Sequence, residues 1–243
     1  MEKNVYEFKA GDFSVRYSLR YKGTLRYFDQ YLRKTDSLSS DIEVSDEYID
    51  ECNRLIFKNE NKRSYQEFSA LMVSTGNHLL AYQRALFHGA ALLWNDQAWI
   101  FTAPSGTGKT TQLLHWNEIL KDEMTIINGD KPLLECRDDG SVYVYSSPWR
   151  GKEKYGTPGI IAPLAGIILL QQGQQNIIQR MKPEDAVIPL FTEFVSYPQN
   201  TDQIKNQADI LTRILSAVPV WKLINRGDQE SALLTLNTVR NSL

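Results

Sequence analysis

Cysteine is scarce in this chain of 243 residues, which holds only Cys52 and Cys136. Two thiols exclude a disulfide framework and a cysteine-rich zinc site. The expectation is a pair of reduced, buried thiols in a cytoplasmic protein. Histidine is equally sparse: no metal-ligand spacing links His78, His88 and His115. Neither sign of charge dominates, with 27 Lys plus Arg against 29 Asp plus Glu and a net charge of −2. That balance argues against binding nucleic acid by bulk electrostatics. Long apolar runs are absent too. The longest, Ile160 to Leu170, is too short to span a bilayer and contains Pro163 and Gly166, so no membrane association is expected. Residues Met1 to Lys9 mix charges and lack an apolar h-region, so no signal peptide is expected. There is no internal repeat and no low-complexity tract. What is present is a 42% apolar share, enough to build a folded core.

Alternation of apolar and polar residues predicts strands over Val5 to Phe8 and Phe13 to Leu19, joined by a turn at Ala10-Gly-Asp12. The aromatic run around Tyr27, Phe28 and Tyr31 fits a helix or an extended segment. Thr35 to Ser45 is polar and reads as a loop, and Tyr65 to Leu80 begins as a helix. In the middle, Gly89 to Trp94 and Gln97 to Thr102 flank Asn95-Asp96 and predict an antiparallel hairpin. A helix from Gln112 to Leu120 and a strand over Met124 to Asn128 follow. Leu133 to Cys136 and Ser141 to Tyr145 form a second hairpin across Asp138-Asp-Gly140, and Ile160 to Leu170 supplies one or two buried strands. Helical spacing then covers Glu184 to Phe194 and Asp202 to Leu215, with a strand over Val218 to Leu223 and a closing helix from Asp228 to Val239.

One short motif carries chemistry. Ala103-Pro-Ser-Gly-Thr-Gly-Lys-Thr-Thr111 follows a predicted strand and opens a predicted helix. This is the context of a Walker A loop, here with alanine at its first position. Gly106 and Gly108 permit the backbone geometry that turns successive N–H groups toward phosphate oxygens, and the helix adds its positive end. The expected nucleotide-binding set is Ser105, Gly106, Thr107, Gly108, Lys109, Thr110 and Thr111. Lys109 supplies a compact ammonium to the terminal phosphates, and the Thr110 hydroxyl is a Mg²⁺ ligand. Asp130 ends the next apolar strand, about 20 residues after Lys109. It fits two roles: holding Mg²⁺ through water, or taking the proton of an attacking hydroxyl.

His88-Gly89, the hairpin, Ser105-Gly-Thr-Gly-Lys-Thr-Thr111 and the Asp130 strand end, in that order, resemble the HPr kinase/phosphorylase catalytic domain. The loop string also looks like that of ATP-dependent phosphoenolpyruvate carboxykinase. The resemblance is clearest over residues 83–156, with weaker matches to about Val239, and points most closely to small HPr-kinase-like proteins. It implies an α/β fold: a P-loop domain of the HPr kinase/carboxykinase type with a mixed, largely antiparallel sheet, over residues 81–243. Residues 1–80 are expected to be a small β-rich portion and a candidate for substrate binding. The implied activity is transfer of the ATP γ-phosphoryl, with Mg²⁺, to a hydroxyl. The acceptor expected is a serine of a protein or precursor peptide, with a small metabolite such as free serine as the alternative. His88 carries over as an active-site residue. Of the family's Asp-Asp pair only Asp130 carries over, because its neighbour is Gly129. That departure motivates a second reading as a non-catalytic nucleotide sensor. Hexameric relatives imply a homo-oligomer. Full carboxykinase activity is not expected, since those enzymes are about twice this length and exceed one ordinary domain.

The loop Ser146-Ser-Pro-Trp-Arg-Gly-Lys-Glu-Lys-Tyr-Gly156 gathers three cations. Arg150 and Lys152 are candidates to stabilise charge on a transferring phosphoryl, and the stretch is similar to a Pro-Trp-x-Gly-Lys-Glu pattern of the small HPr-kinase-like proteins. Trp149 is a candidate to stack on adenine. His78 and His115 read as structural. The basic and aromatic residues from Arg16 to Arg33 read as the exposed face of strands, with a peptide-binding edge strand as the functional alternative.

Overall fold

The computed structural model describes residues 5–37, 39–57 and 61–241. The first four residues of the segment read above for a leader lie outside it, as does position 38 of the polar stretch. Strands β1 (Val5–Ala10) and β2 (Phe13–Ser18) form the expected hairpin. The aromatic run becomes, in succession, a one-turn helix α1 (Leu25–Phe28), a 3-10 turn and a short strand β3 (Leu32–Lys34) that pairs with β1. Both conformations considered for it are therefore present. Helix α2 (Asp46–Cys52) goes unseen in the sequence reading, although Ser45 caps it by accepting from the Tyr48 N–H. Helix α3 (Arg63–Leu79) covers the segment read as helical from Tyr65. The small antiparallel sheet, in the order β2-β1-β3, is thus accompanied by the one-turn α1 and the longer helices α2 and α3.

The remaining elements are β4 (Arg84–Leu86), β5 (Gly89–Trp94), β6 (Gln97–Thr102), α4 (Lys109–Leu120), β7 (Met124–Asn128), β8 (Leu133–Cys136), β9 (Val142–Tyr145), β10 (Ile161–Gln172), β11 (Ile177–Arg180), α5 (Pro183–Phe191), α6 (Thr201–Ala217), β12 (Val220–Asn225) and α7 (Gln229–Arg240). The β5–β6 hairpin closes over Asn95 and Asp96, at φ +51 and +59. Two left-handed residues match the right-handed twist of the flanking strands, and Asn and Asp tolerate that conformation well. The run from Ile160 proves to be one long strand, and β11 is an addition to the sequence reading.

The nine strands from β4 onward make one mixed sheet in the order β4-β8-β9-β10-β6-β5-β7, with β12 beside β10 and β11 beside β12. Among the described residues the pairings of β10 with β6 and β12 are parallel, and the others in this sheet are antiparallel. The fold is therefore α/β with a mixed, largely antiparallel sheet, as expected.

Both faces of the central strands are covered, which is why β5 and β6 read as continuous apolar runs. On one face Trp99 and Phe101 pack with Leu113 and Trp116 of α4 and Leu236 of α7. On the other, Ala98 and Ile100 pack with Leu190 of α5 and Ile210 and Ile214 of α6. Full burial of each large side chain stabilises by about 1.5–3 kcal/mol. A third cluster joins the N-terminal layer to the main sheet: Phe28, Phe68 and Leu71 meet Leu86, Leu133, Tyr145 and Trp149. Helix α3 also docks closely on the segment after α5. A Cβ on Gly76 would lie 1.6 Å from the Val195 carbonyl oxygen, and Asn77 exchanges hydrogen bonds with the Tyr197 backbone at 2.7 and 3.0 Å.

Candidate active site

The loop between β6 and α4 turns on Gly106 and Gly108, at φ +82 and +111. Nothing lies within 4 Å of where a Cβ would stand on either, so the backbone is open to an approaching ligand. Helix α4 begins with no side-chain cap, which leaves its first N–H groups available to an anion. Lys109 is buried, and its Nζ donates to the Ala103 carbonyl at 2.7 Å. Burial, reinforced by the neighbouring Lys131 ammonium, lowers its pKa below the ordinary lysine value. Ser105 and Thr111 are exposed, and Thr107 and Thr110 partly so.

Asp130 sits at the far side of the same cleft, and the turn carrying it is built by Asn128. This fully buried side chain accepts from the backbone N–H groups of Asp130 at 2.9 Å and Lys131 at 2.7 Å. Its amide donates to the Ser147 carbonyl at 2.9 Å. One Asn thereby fixes the turn and ties it to the loop that starts at Ser146. Lys131 donates to Asp130 Oδ1 at 2.7 Å. Burial lowers its pKa, opposed by the attraction of Asp130 and Glu193.

His88 lies between two carboxylates. Its Nδ1 is 2.7 Å from Glu193 Oε2, and its Nε2 is 3.6 Å from Asp130 Oδ1. Backbone bonds brace the same group: His88 N–H donates to the Glu193 carbonyl at 2.7 Å, and Gly89 N–H to the Asp130 carbonyl at 2.9 Å.

His88, Asp130, Lys131 and the P-loop residues Ser105, Gly106, Lys109 and Thr110 line one cleft of about 800 Å³, a volume suited to a nucleotide-sized ligand. Arg150 and Lys152 line it as well. Lys152 is exposed. The Arg150 guanidinium is committed elsewhere: it donates to Asp29 Oδ2 at 2.9 Å and to the Lys154 carbonyl at 3.1 Å, and lies over the Tyr31 ring. It holds the loop to the N-terminal layer in this structure instead of presenting a free fork to a phosphate. Trp149 is a correction of the same kind. Its ring packs against Phe28 and Phe68, and its Nε1 donates to the Phe68 carbonyl, so although it borders the cleft it is a core anchor, only 2% exposed, with little surface left for adenine. The N-terminal layer contributes three aromatic residues and a methionine to the lining: Tyr27, Tyr65, Phe68 and Met72.

Gly129, the neighbour of Asp130, is tightly packed. A Cβ there would stand 3.0 Å from Tyr155 Cβ, 3.1 Å from the Arg150 carbonyl and 3.2 Å from the Tyr155 carbonyl. Among the described residues no group of three or more His, Cys, Asp or Glu side chains is placed to hold a metal. The oxygen donors present, Thr110 and Asp130, suit a Mg²⁺ ion that draws its other ligands from phosphates and water.

Sequence reading misses Asn128, Lys131 and Glu193. Asn-Gly-Asp is a turn signal in which Asn bonds the backbone ahead of it, so Asn128 was within reach. Lys131 and Glu193 are brought to the site by long-range packing and carry no local signature. His78 and His115 lie elsewhere, as read: His78 packs on Tyr82 and His115 faces the Gly227 carbonyl. Both cysteines are free and buried, with the Cys136 thiol pushed up to about 11 by burial. No helix among the described residues is long and apolar enough to cross a membrane.

No model of a known protein family matches the sequence, and no curated protein matches it. Among solved structures, the HPr(Ser) kinase/phosphatase from Coxiella burnetii is similar at 10% identity over 65% of this chain and 89% of that chain, with a TM-score of 0.38. At that level of likeness nothing passes from one chain to the other, and the chemistry here rests on the residues of this cleft.

Proposed function

We propose that this chain is an ATP-dependent phosphotransferase of the HPr-kinase-like type, acting in the cytoplasm, that moves the γ-phosphoryl to a hydroxyl. The observation that carries this reading is the convergence, in one cleft, of an open P-loop with Lys109 and a carboxylate, Asp130, on the facing strand end. The backbone N–H groups from Gly106 to Thr111 hold the phosphates, and the Lys109 ammonium turns from the Ala103 carbonyl to the phosphate oxygens. The Thr110 hydroxyl would help hold Mg²⁺ against the nucleotide, where the ion would supply charge neutralisation to the phosphates. Asp130 is assigned the acceptor proton: Lys131 donates to Oδ1, and Oδ2 accepts no hydrogen bond among those described. Lys152, exposed on the loop beside Asp130, is the cation we assign to the transferring group, and Arg150 positions that loop.

Tyr27, Tyr65 and Met72 of the N-terminal layer line the same cleft, which supports a role for that layer in acceptor binding. The acceptor proposed is a serine hydroxyl on a peptide or protein, with a small metabolite as the alternative. The test is incubation with Mg·ATP and candidate acceptors, followed by mass spectrometry of peptides and small molecules. Lys109→Ala and Asp130→Ala proteins are expected to fold yet transfer at most about a hundredth of the wild-type rate. Full transfer by Asp130→Ala would remove the base from the scheme. The closed position at Gly129 favours one other reading, a nucleotide sensor; tight ATP binding with no transfer to any acceptor would select it.

A further inference from the structure

Glu193 takes no part in the scheme above, yet it is the most buried acid of the site, 5% exposed. A buried carboxylate is costly unless it is paired and hydrogen-bonded, and the partner it has is His88 Nδ1, at 2.7 Å. Its placement is over-determined. The segment after α5 runs antiparallel to residues 86–88: His88 N–H donates to the Glu193 carbonyl, Val195 N–H to the Leu86 carbonyl, and Phe87 faces Phe194. Helix α3 presses on the same segment through Gly76 and Asn77. We propose that Glu193 is a positioning residue: it fixes His88 with the proton on Nδ1 and aims Nε2 at Asp130.

The chemistry follows from the acceptor and donor inventory of the groups. An ionised carboxylate only accepts, so the ring nitrogen at hydrogen-bond distance from one, Nδ1 at 2.7 Å from Glu193, is assigned the hydrogen. Asp130 Oδ1, 3.6 Å from Nε2, lies beyond that distance and makes no such demand; in the neutral ring Nε2 is then a bare lone pair. This inference rests on the phosphotransferase reading for its consequence. As the acceptor oxygen forms its bond to the γ-phosphorus, its O–H bond breaks and the proton passes to the Asp130–His88 pair. The bond from the γ-phosphorus to the β-γ bridging oxygen breaks, and ADP leaves with that electron pair. A ring held the other way round would present an N–H to Asp130 and have no lone pair to offer. The arrangement follows the general logic in which a buried acid sets the tautomer of a histidine that handles a proton. Lys131 and Lys109 are the other charged groups of the cluster, and neither contacts the ring in the described hydrogen bonds.

The experiment reads the tautomer directly, without activity. In ¹⁵N-labelled protein lacking nucleotide, the two ring nitrogens of His88 are assigned by the resonance lost in His88→Gln, against His78 and His115. The wild-type ring, at a pH where it is neutral, is expected in the Nδ1–H form. Glu193→Gln, whose amide can donate to Nδ1 and whose backbone bond to His88 is unaltered, is expected to shift the ring toward Nε2–H. Its kcat should fall by roughly 10²-fold, with KM for ATP changed little, and Glu193→Asp should restore the Nδ1–H form in part. A wild-type ring in the Nε2–H form, or a Glu193→Gln ring indistinguishable from wild type, overturns the proposal. If no acceptor is ever phosphorylated, the phosphotransferase reading fails while the tautomer result stands on its own.

Discussion

At the scale of single residues, the site is a small field of four charges and one imidazole. Lys109 and Lys131 are both held below the ordinary lysine pKa by burial; the Lys131 ammonium further depresses Lys109, and Asp130 and Glu193 oppose the shift of both. The sign of the consequence is fixed. A polyphosphate favours the charged form of both lysines, so binding raises their pKa values. Between the lowered free values and the raised bound ones, ATP binding must take up protons, and affinity must fall as pH rises through that alkaline window. Calorimetry near pH 9 in buffers of different ionisation enthalpy is expected to show net uptake. Uptake that is absent in wild type, or unchanged in Lys109→Ala, would separate the lysine from phosphate binding.

At the scale of elements, the docking of α3 on the segment that bears Glu193 is the contact to perturb. Gly76→Ala drives a methyl into the Val195 carbonyl oxygen, a backbone atom 1.6 Å from the Cβ position. The expected cost is about 1–3 kcal/mol of stability, read as a lowered denaturant midpoint. An equal or raised midpoint would mean that α3 and the segment are not held together as described. Elements are also where sequence and structure can be compared. The β5–β6 hairpin, α4, β7 and the β8–β9 hairpin lie where alternation, turn residues and the P-loop put them, because in each the local signal and the tertiary environment agree. Helix α2 was missed although Ser45 followed by Asp46 and Glu47 is a helix-start pattern. Strand β11 had no such signal: Ile177 to Arg180 pairs with β12 alone, and a short, exposed edge needs little apolar patterning. The P-loop and Asp130 were legible because phosphate chemistry is written in contiguous residues. Lys131 follows Asp130 directly, yet only the fold turns it inward, and Glu193 reaches His88 across 105 residues.

At the scale of the whole molecule, the cleft lies between two layers that share one apolar cluster, and ligand binding is coupled to the stability of both. A nucleotide that binds the folded chain alone stabilises it by about 2.7 kcal/mol at a concentration 100 times Kd. For a chain of this size that corresponds to a rise in Tm of roughly 5–11 °C. Mg·ATP is expected to produce this shift in wild type and to lose most of it in Lys109→Ala. An equal shift in both would place the nucleotide elsewhere.

The tight packing at Gly129 bears on how such a site can change over generations. The atoms that close it are Tyr155 Cβ and the carbonyl oxygens of Arg150 and Tyr155, so shortening the Tyr155 side chain would not open it. Gly129→Asp alone is expected to lower stability and to gain no activity, since its Cβ already crowds the main chain of the loop; a stable, active Gly129→Asp protein would show that the loop yields. A side chain at position 129 therefore requires residues 150–156 to give way by a few tenths of an ångström. Position 129 and that loop are in that sense one unit, and neither is free to change without the other.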